Sequence, residues 1–172
     1  IDFSCGDVLQ LPFGESTFDG AVSSRLLMHL PDPPLALEEV YRVIKPGGWY
    51  CSVEPDWSAL KVEPELPFAR KLFEIHLENV PNGNIGKRLR PLFESAGFHV
   101  EYYGYRAHVS HDFDSIWPTM NFGRSIGKAA ARFGMSPRDV ELWEEEMRTT
   151  SRAGGFMMRM AGGGCLGRKP ER

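Results

Sequence analysis

The sequence predicts an α/β protein built on a parallel sheet. Two observations carry that prediction. The first fifty-odd residues alternate short apolar strand-like runs with a well-delimited helix, which is the order of a parallel sheet with crossovers. The run Phe18 to Ser23 is also largely apolar, as expected for a strand covered on both faces. At 172 residues the chain is the size of one domain and long enough for a core of its own.

The elements follow in order. Ile1 to Cys5 alternates apolar and polar residues and reads as a strand ended by Gly6-Asp7. Leu11 to Ser16 is loop text, and Phe18 to Ser23 is a second strand. Asp32 caps the next helix, with Pro33 and Pro34 in its first turn. Leu37, Val40, Tyr41 and Ile44 form its apolar stripe, and Pro46-Gly47-Gly48 ends it. Trp49 to Val53 is a third strand. The proline- and acid-rich stretch from Pro55 to Pro67 is expected to be a loop. Helices are expected over 68–80 and 85–96, the second stopped by Gly97, with a turn at Pro81-Asn82-Gly83-Asn84 between them. Phe98 to Val109 reads as an aromatic-rich strand and 114–132 as a helical segment. Ser136 and Asp139 make a capping box opening a helix over 137–150, and Phe156 to Arg168 reads as the last strand.

Composition narrows the functional classes. Hydrophobic residues make up 42% and charged residues 25%, so general disorder is excluded. A net charge of -3 argues against a broad electrostatic footprint for nucleic acid or an acidic membrane. No apolar run reaches the length of a membrane helix, and the opening residues do not read as a signal segment. Cys5, Cys51 and Cys165 form no CxxC pair and are expected to be reduced packing residues of a cytoplasmic protein.

One motif match is misleading. Gly162-Gly-Gly-Cys-Leu-Gly167 fits G-x-G-x-x-G, but only five residues follow it, too few for the helix that a dinucleotide loop must open. Gly86-Lys87 lacks the glycine run before it and the Ser/Thr after it that a P-loop needs. His108 and His111 have metal-like spacing without an evident third ligand, and read as ordinary strand or loop histidines, so no metal is expected.

A linear pattern is more informative. It runs Gly6-Asp7-Val8, Leu11-Pro12-Phe13, Phe18-Asp19, Leu27-Met28-His29-Leu30, Asp32-Pro33, Ala36-Leu37-Glu38-Glu39 and Arg42-Val43-Ile44-Lys45-Pro46-Gly47-Gly48. In order and spacing it resembles the class I S-adenosylmethionine-dependent methyltransferases, in particular the small-molecule branch that includes the quinone-biosynthesis C-methyltransferases. Ile85 to Phe98 and Gly167-Arg168-Lys169-Pro170 continue the likeness. The fold so implied is α/β, part of a Rossmann-like methyltransferase sheet with a helical insert before the last strand. The expected division is 1–54 for the second half of the cofactor-binding core, 55–111 for helices and a hairpin strand, 112–152 for a helical substrate cap, and 153–172 for the last strand and tail.

The resemblance implies roles for particular residues. S-adenosylmethionine is the implied cofactor and S-adenosylhomocysteine its product. Ligands of open α/β sheets sit beyond the C-terminal strand ends, and the matching positions Asp7 and Val8 are implied to bind adenine through a carboxylate and the next main-chain amide. As a plain turn former after Gly6, Asp7 would also be unremarked. Ser24, Arg25 and Leu26 are implied to pass the methionine end of the cofactor. Arg25, where an apolar residue is common, either pairs with a substrate carboxylate or is solvated. His29 is either a general base, since its ordinary pKa lies near neutrality, or a loop anchor. Phe113, Trp117, Met120, Phe122, Phe133, Met135 and Trp143 either line an apolar substrate pocket or pack the insert.

The family's glycine-rich cofactor loop and ribose-binding acid have no counterpart here. The pattern starts at what resembles the family's third strand, roughly two βα units (on the order of 60 residues) into the domain. The start at Ile1 fits a fragment or a processed chain. A first strand without its neighbours leaves an open edge, so a homodimer or swapped oligomer is expected, or else a rearranged first segment. The expected activity is methyl transfer to a small-molecule acceptor, mainly by alignment of the reacting atoms. The alternatives are a non-catalytic remnant or interaction module of the same fold, and a different nucleotide-binding α/β enzyme.

Overall fold

A computed structural model describes residues 1–78, 80–120 and 122–171. It contains four strands, β1 (Phe18–Ser24), β2 (Ile44–Glu63), β3 (His99–Ser110) and β4 (Met157–Arg168), in one sheet of order β1-β2-β4-β3. Its helices are α1 (Pro33–Val43), α2 (Pro67–Leu77), α3 (Leu89–Ser95), α4 (Phe113–Ile116), α5 (Gly123–Phe133) and α6 (Pro137–Arg152). Single 3₁₀ turns lie at Leu27–His29, Ile85–Arg88 and Trp117–Met120. β1 and β2 are parallel, as the alternation of strand and helix predicts, with Ala21 opposite Tyr50 and Ser24 opposite Val53.

Several elements form for the reasons legible in sequence. The Asp32 side chain accepts from the Leu35 amide at 3.1 Å and so caps α1. Ala36, Leu37, Val40 and Val43 make the buried stripe of α1. Ser136 and Asp139 satisfy each other's main-chain donors at the start of α6.

Several expectations need correction. α1 ends at Val43, so Ile44 and Pro46-Gly47-Gly48 belong to β2 and not to the helix stripe and its stop. β1 is largely exposed rather than covered on both faces, because it is the edge strand. Residues 1–6 form no strand, and Ile1 and Phe3 are exposed; a strand holds its shape only against a ladder partner. Residues 55–63 are not loop, because β2 continues straight through Pro55 to Glu63. The helical segment 114–132 is broken into α4, a 3₁₀ turn and α5, with Pro118 inside the break. Cys5 is exposed rather than a packing residue.

The chain forms two compact units. Unit 1 comprises residues 1–56, 81–106 and 162–172, and unit 2 comprises 57–80 and 107–161. In unit 1 the core is built from Leu37, Ile44, Tyr50, Leu89, Phe93 and Phe98. Tyr50 stacks on Phe93 with ring centres 4.9 Å apart, and its hydroxyl meets Ser23 Oγ at 2.8 Å. In unit 2, α2 packs on α5, and Phe68, Phe113, Trp117, Trp143 and Phe156 interlock edge-to-face and stacked.

The glycine run of β4 has a packing role. A Cβ on Gly163 would collide with the Gly86 carbonyl, and one on Gly162 would lie 2.8 Å from the Glu54 carbonyl. These glycines let β4 lie directly on neighbouring main chain.

Candidate functional site

The site builds up from the C-terminal end of β1. After Ser24 the main chain turns sharply: Arg25 has φ of 55°, and its amide donates to the Val53 carbonyl at 3.0 Å. The 3₁₀ turn Leu27–His29 follows. Beneath it lies Glu54 of β2, only 1% exposed. Its Oε1 accepts from the amides of Leu26 and Leu27, both at 2.9 Å, and its Oε2 accepts from the Met28 amide at 3.3 Å. Downstream, the Asn82 amide donates to the Met28 carbonyl at 3.1 Å, and Asn82 Nδ2 donates to the Leu30 carbonyl at 2.7 Å. Ser24, Arg25, Leu26 and His29 thus share one short segment held at both ends, with the side chains of Arg25 and His29 exposed.

Asp7 and Val8 lie in a separate turn. Asp7 Oδ1 accepts from the Leu9 amide at 2.9 Å, and the Gln10 amide donates to the Asp7 carbonyl at 3.0 Å. Oδ2 takes no part in this turn. Val8 is half-buried. Among the described residues no hydrogen bond joins this turn to the 24–29 segment.

Charged groups of α1 hold the chain that follows the turn. Glu39 Oε2 accepts from the Leu11 amide at 2.9 Å, and Arg42 donates to the carbonyls of Phe13 and Leu11 at 2.9 and 3.1 Å. The Arg42 hydrogen bond is the main reason the Glu39 carboxyl is held below its ordinary value. Lys169 closes the other end of α1. Its Nζ donates to the Tyr41 and Ile44 carbonyls, each at 2.8 Å, and lies 4.5 Å from the Tyr41 ring centre. Partial burial lowers its pKa.

Two carboxylates that sequence reasoning passed over complete the picture. Glu54 and Asp56 stand two residues apart on β2 and are both buried. Tyr105 Oη donates to Asp56 Oδ2 at 2.7 Å, and Lys87 Nζ lies 3.9 Å from the same oxygen. The signal was present in the text Val53-Glu54-Pro55-Asp56, where acids at alternate positions follow an apolar run. The proline turned the reading toward a loop instead.

Outside this region the structure favours the plainer reading of two features. Phe113, Met120, Phe122 and Trp143 are core of unit 2, while Phe133 is 45% exposed. His111 Nδ1 meets the Phe156 carbonyl at 3.0 Å. The described residues hold no group of three or more His, Cys, Asp or Glu side chains placed to share a metal ion. None of the described helices is long and apolar enough to cross a membrane.

A four-stranded sheet in which β1 pairs parallel with β2 and runs into a pinned loop fits a Rossmann-like fold. Comparison with known proteins shows what the chain is similar to. Residues 1–52 match the family described as a methyltransferase domain. An uncharacterised 37.1 kDa protein of a Streptomyces fradiae transposon is 38% identical over 103 residues, which is 58% of this chain and 30% of the relative. The demethylmenaquinone methyltransferase of Lactococcus lactis is 34% identical over 80 residues, 46% of this chain and 29% of the relative. The solved structure of a methyltransferase candidate from Bacillus halodurans C-125 superposes with a TM-score of 0.60 at 20% identity, covering 96% of this chain and 70% of that one. The likeness thus joins residues 1–52 to a methyltransferase domain and nearly the whole chain to the fold of the Bacillus halodurans protein, and the chain spans less than a third of the length of these two curated relatives.

Proposed function

We propose that this chain contributes the second half of a cofactor site for methyl transfer from S-adenosylmethionine to a small-molecule acceptor. The observation that carries the reading is the segment 24–30, fixed at the C-terminal end of β1 by Glu54 and Asn82. That is where an open α/β sheet holds its ligand. The donor set fits the adenine end: Asp7 keeps Oδ2 outside its own turn and so has an acceptor to offer an amino group, and Val8 follows with a main-chain amide. Ser24, Arg25 and Leu26 provide the fixed main chain for the methionine end.

When bound, the cofactor supplies a methyl group already activated on a sulfonium. This chain's residues then have little covalent chemistry to do. They bind, align and exclude water, and alignment alone is worth several orders of magnitude in rate. His29, exposed at the end of the 3₁₀ turn, is the candidate base where the acceptor carries a proton to be removed. Similarity to a demethylmenaquinone methyltransferase supports a small-molecule acceptor.

Self-association is part of the proposal. β1 is the edge strand of the sheet, with Val22 70% exposed on it, and Ile1 and Phe3 are exposed beside no strand. A homodimer or a swapped oligomer would cover these groups. A cytoplasmic setting fits three cysteines that are all unpaired.

Calorimetric titration with S-adenosylhomocysteine tests the cofactor reading. Binding in the micromolar range is expected, weakened about tenfold or more by Asp7→Ala through loss of a charge-assisted hydrogen bond. A folded chain that binds none, or an Asp7→Ala variant that binds as well as the original, contradicts it.

A further inference from the structure

We propose that Glu54 is a positioning residue that presets the 24–30 segment before any cofactor or acceptor arrives. The inference rests on the methyl-transfer reading above for its functional meaning, but the geometry stands independently. A buried carboxylate is costly unless its oxygens are satisfied. Here three consecutive main-chain amides converge on it, two on Oε1 and one on Oε2. Convergence of that kind fixes the main-chain path of residues 26–28, because each amide can reach the carboxylate only from one backbone conformation. The left-handed Arg25 immediately before is held by Val53, and Asn82 holds residues 28 and 30 immediately after.

The carboxylate itself sits on a rigid base. A Cβ on Gly86 would lie 2.5 Å from the Glu54 carbonyl, and one on Gly162 would lie 2.8 Å from it, so main chain packs on Glu54 from two other segments. The strand therefore cannot shift to follow a loop that moves. Arg25 and His29, exposed side chains of the segment with chemistry to offer, take their positions from a loop that Glu54 holds. Glu54 touches no reacting atom in this account; it acts through main chain.

The split between the two oxygens gives a signature that a generally stabilising residue would not produce. In Glu54→Gln the remaining carbonyl oxygen keeps the Leu26 and Leu27 amides, and the new NH₂ group faces the Met28 amide, donor against donor. In Glu54→Ala all three amides lose their partner. Residue-resolved hydrogen exchange on the whole chain reads this directly. In the Gln variant the Met28 amide is expected to exchange about tenfold faster or more, with Leu26 and Leu27 near their original rates. In the Ala variant all three are expected to accelerate by at least about that factor. The amides of Leu37 and Tyr50, in the core, should stay unchanged in the Gln variant. Affinity for S-adenosylhomocysteine should fall in the order original, Gln, Ala.

Equal exchange at residues 26–28 in the original chain and the Gln variant overturns the proposal. So does a rise in the Gln variant that is as large at Leu37 and Tyr50 as at Met28. The Gln variant keeps the test decisive if the Ala variant does not fold. A chain that shows the exchange signature but binds no S-adenosylhomocysteine supports Glu54 as the holder of this loop and refutes the cofactor reading, so the two failures are distinguishable.

Discussion

The two compact units direct their charged side chains differently. In unit 1, beside ion pairs such as Lys45 with Asp19, Arg90 with Glu94 and Arg168 with Glu101, several reach for main chain over long sequence separations: Glu54 takes the amides of 26–28, Arg42 the carbonyls of 11 and 13, and Lys169 those of 41 and 44. In unit 2 they pair mostly with each other on helix surfaces, as in Arg148 with Asp114 and Glu144, Arg132 with Glu78, and Arg138 with Glu141. Exposed pairs of that kind contribute about 0–1 kcal/mol each, so unit 2 rests on its interlocked rings. The lesson is that unit 1 has loops whose exact path matters, and its charges fix that path. Unit 2 needs a shape, and packing alone supplies it.

That contrast can be broken most forcefully in unit 2. Phe113→Ala empties the centre of a cluster that includes Trp117, Trp143 and Phe156. It is expected to cost about 3–5 kcal/mol in a urea titration. A cost under about 1 kcal/mol, the range of a surface pair, would show that the rings do not carry this unit.

Arg42→Ala sharpens the contrast in unit 1. It removes the donor for two loop carbonyls and the partner of Glu39, and is expected to speed exchange of the Leu11 amide severalfold with little change at Tyr50. Its pH dependence has a definite sign. Glu39 has a depressed pKa in the folded chain, first because of the Arg42 hydrogen bond. Its contribution is therefore complete above its ordinary value of 4.5 and is lost as pH falls through the lower folded value. Acidification below that range should loosen residues 11–13 in the original chain. The Arg42→Ala variant, already loosened, should show a weaker dependence.

The smallest effect is expected at Trp143. Its indole N–H is buried without a partner among the described residues, so Trp143→Phe relieves an unpaired donor while giving up some ring volume. The two oppose each other, and the net change should lie within about 1 kcal/mol. A large loss would mean that the shape of the indole matters more than its N–H.

Much of this was legible in the sequence wherever the cause is local. The Asp32 cap with its two prolines and the capping box at Ser136 and Asp139 depend on neighbours a few residues away, and both form as read. The run Phe18 to Ser23 does form a strand, but against β2 and at the sheet edge, with Phe18 and Val22 exposed rather than covered on both faces. The strand expected over 1–5 needs a ladder partner that local pattern cannot promise. The passage of β2 through Pro55 depends on sheet neighbours that outweigh the usual meaning of proline. The site divides along the same line. Ser24, Arg25, Leu26 and His29 come from motif order, and their roles remain part of the proposal. Glu54 and Asn82, which hold the 24–30 segment, lie 26 and 52 residues from the groups they bind, Met28 and Leu30. No local signal reports a contact across that distance.

In the proposed function the turn at Asp7-Val8 and the segment 24–29 receive the cofactor. The measurement that tests it most directly is residue-resolved NMR mapping of the chain during titration with S-adenosylhomocysteine. The predicted result is saturable shifts largest at Asp7, Val8 and Ser24 through Leu26, with the amides of α6 unmoved. Binding whose shifts are confined to unit 2, with the Asp7-Val8 turn and the 24–29 segment silent, would contradict it.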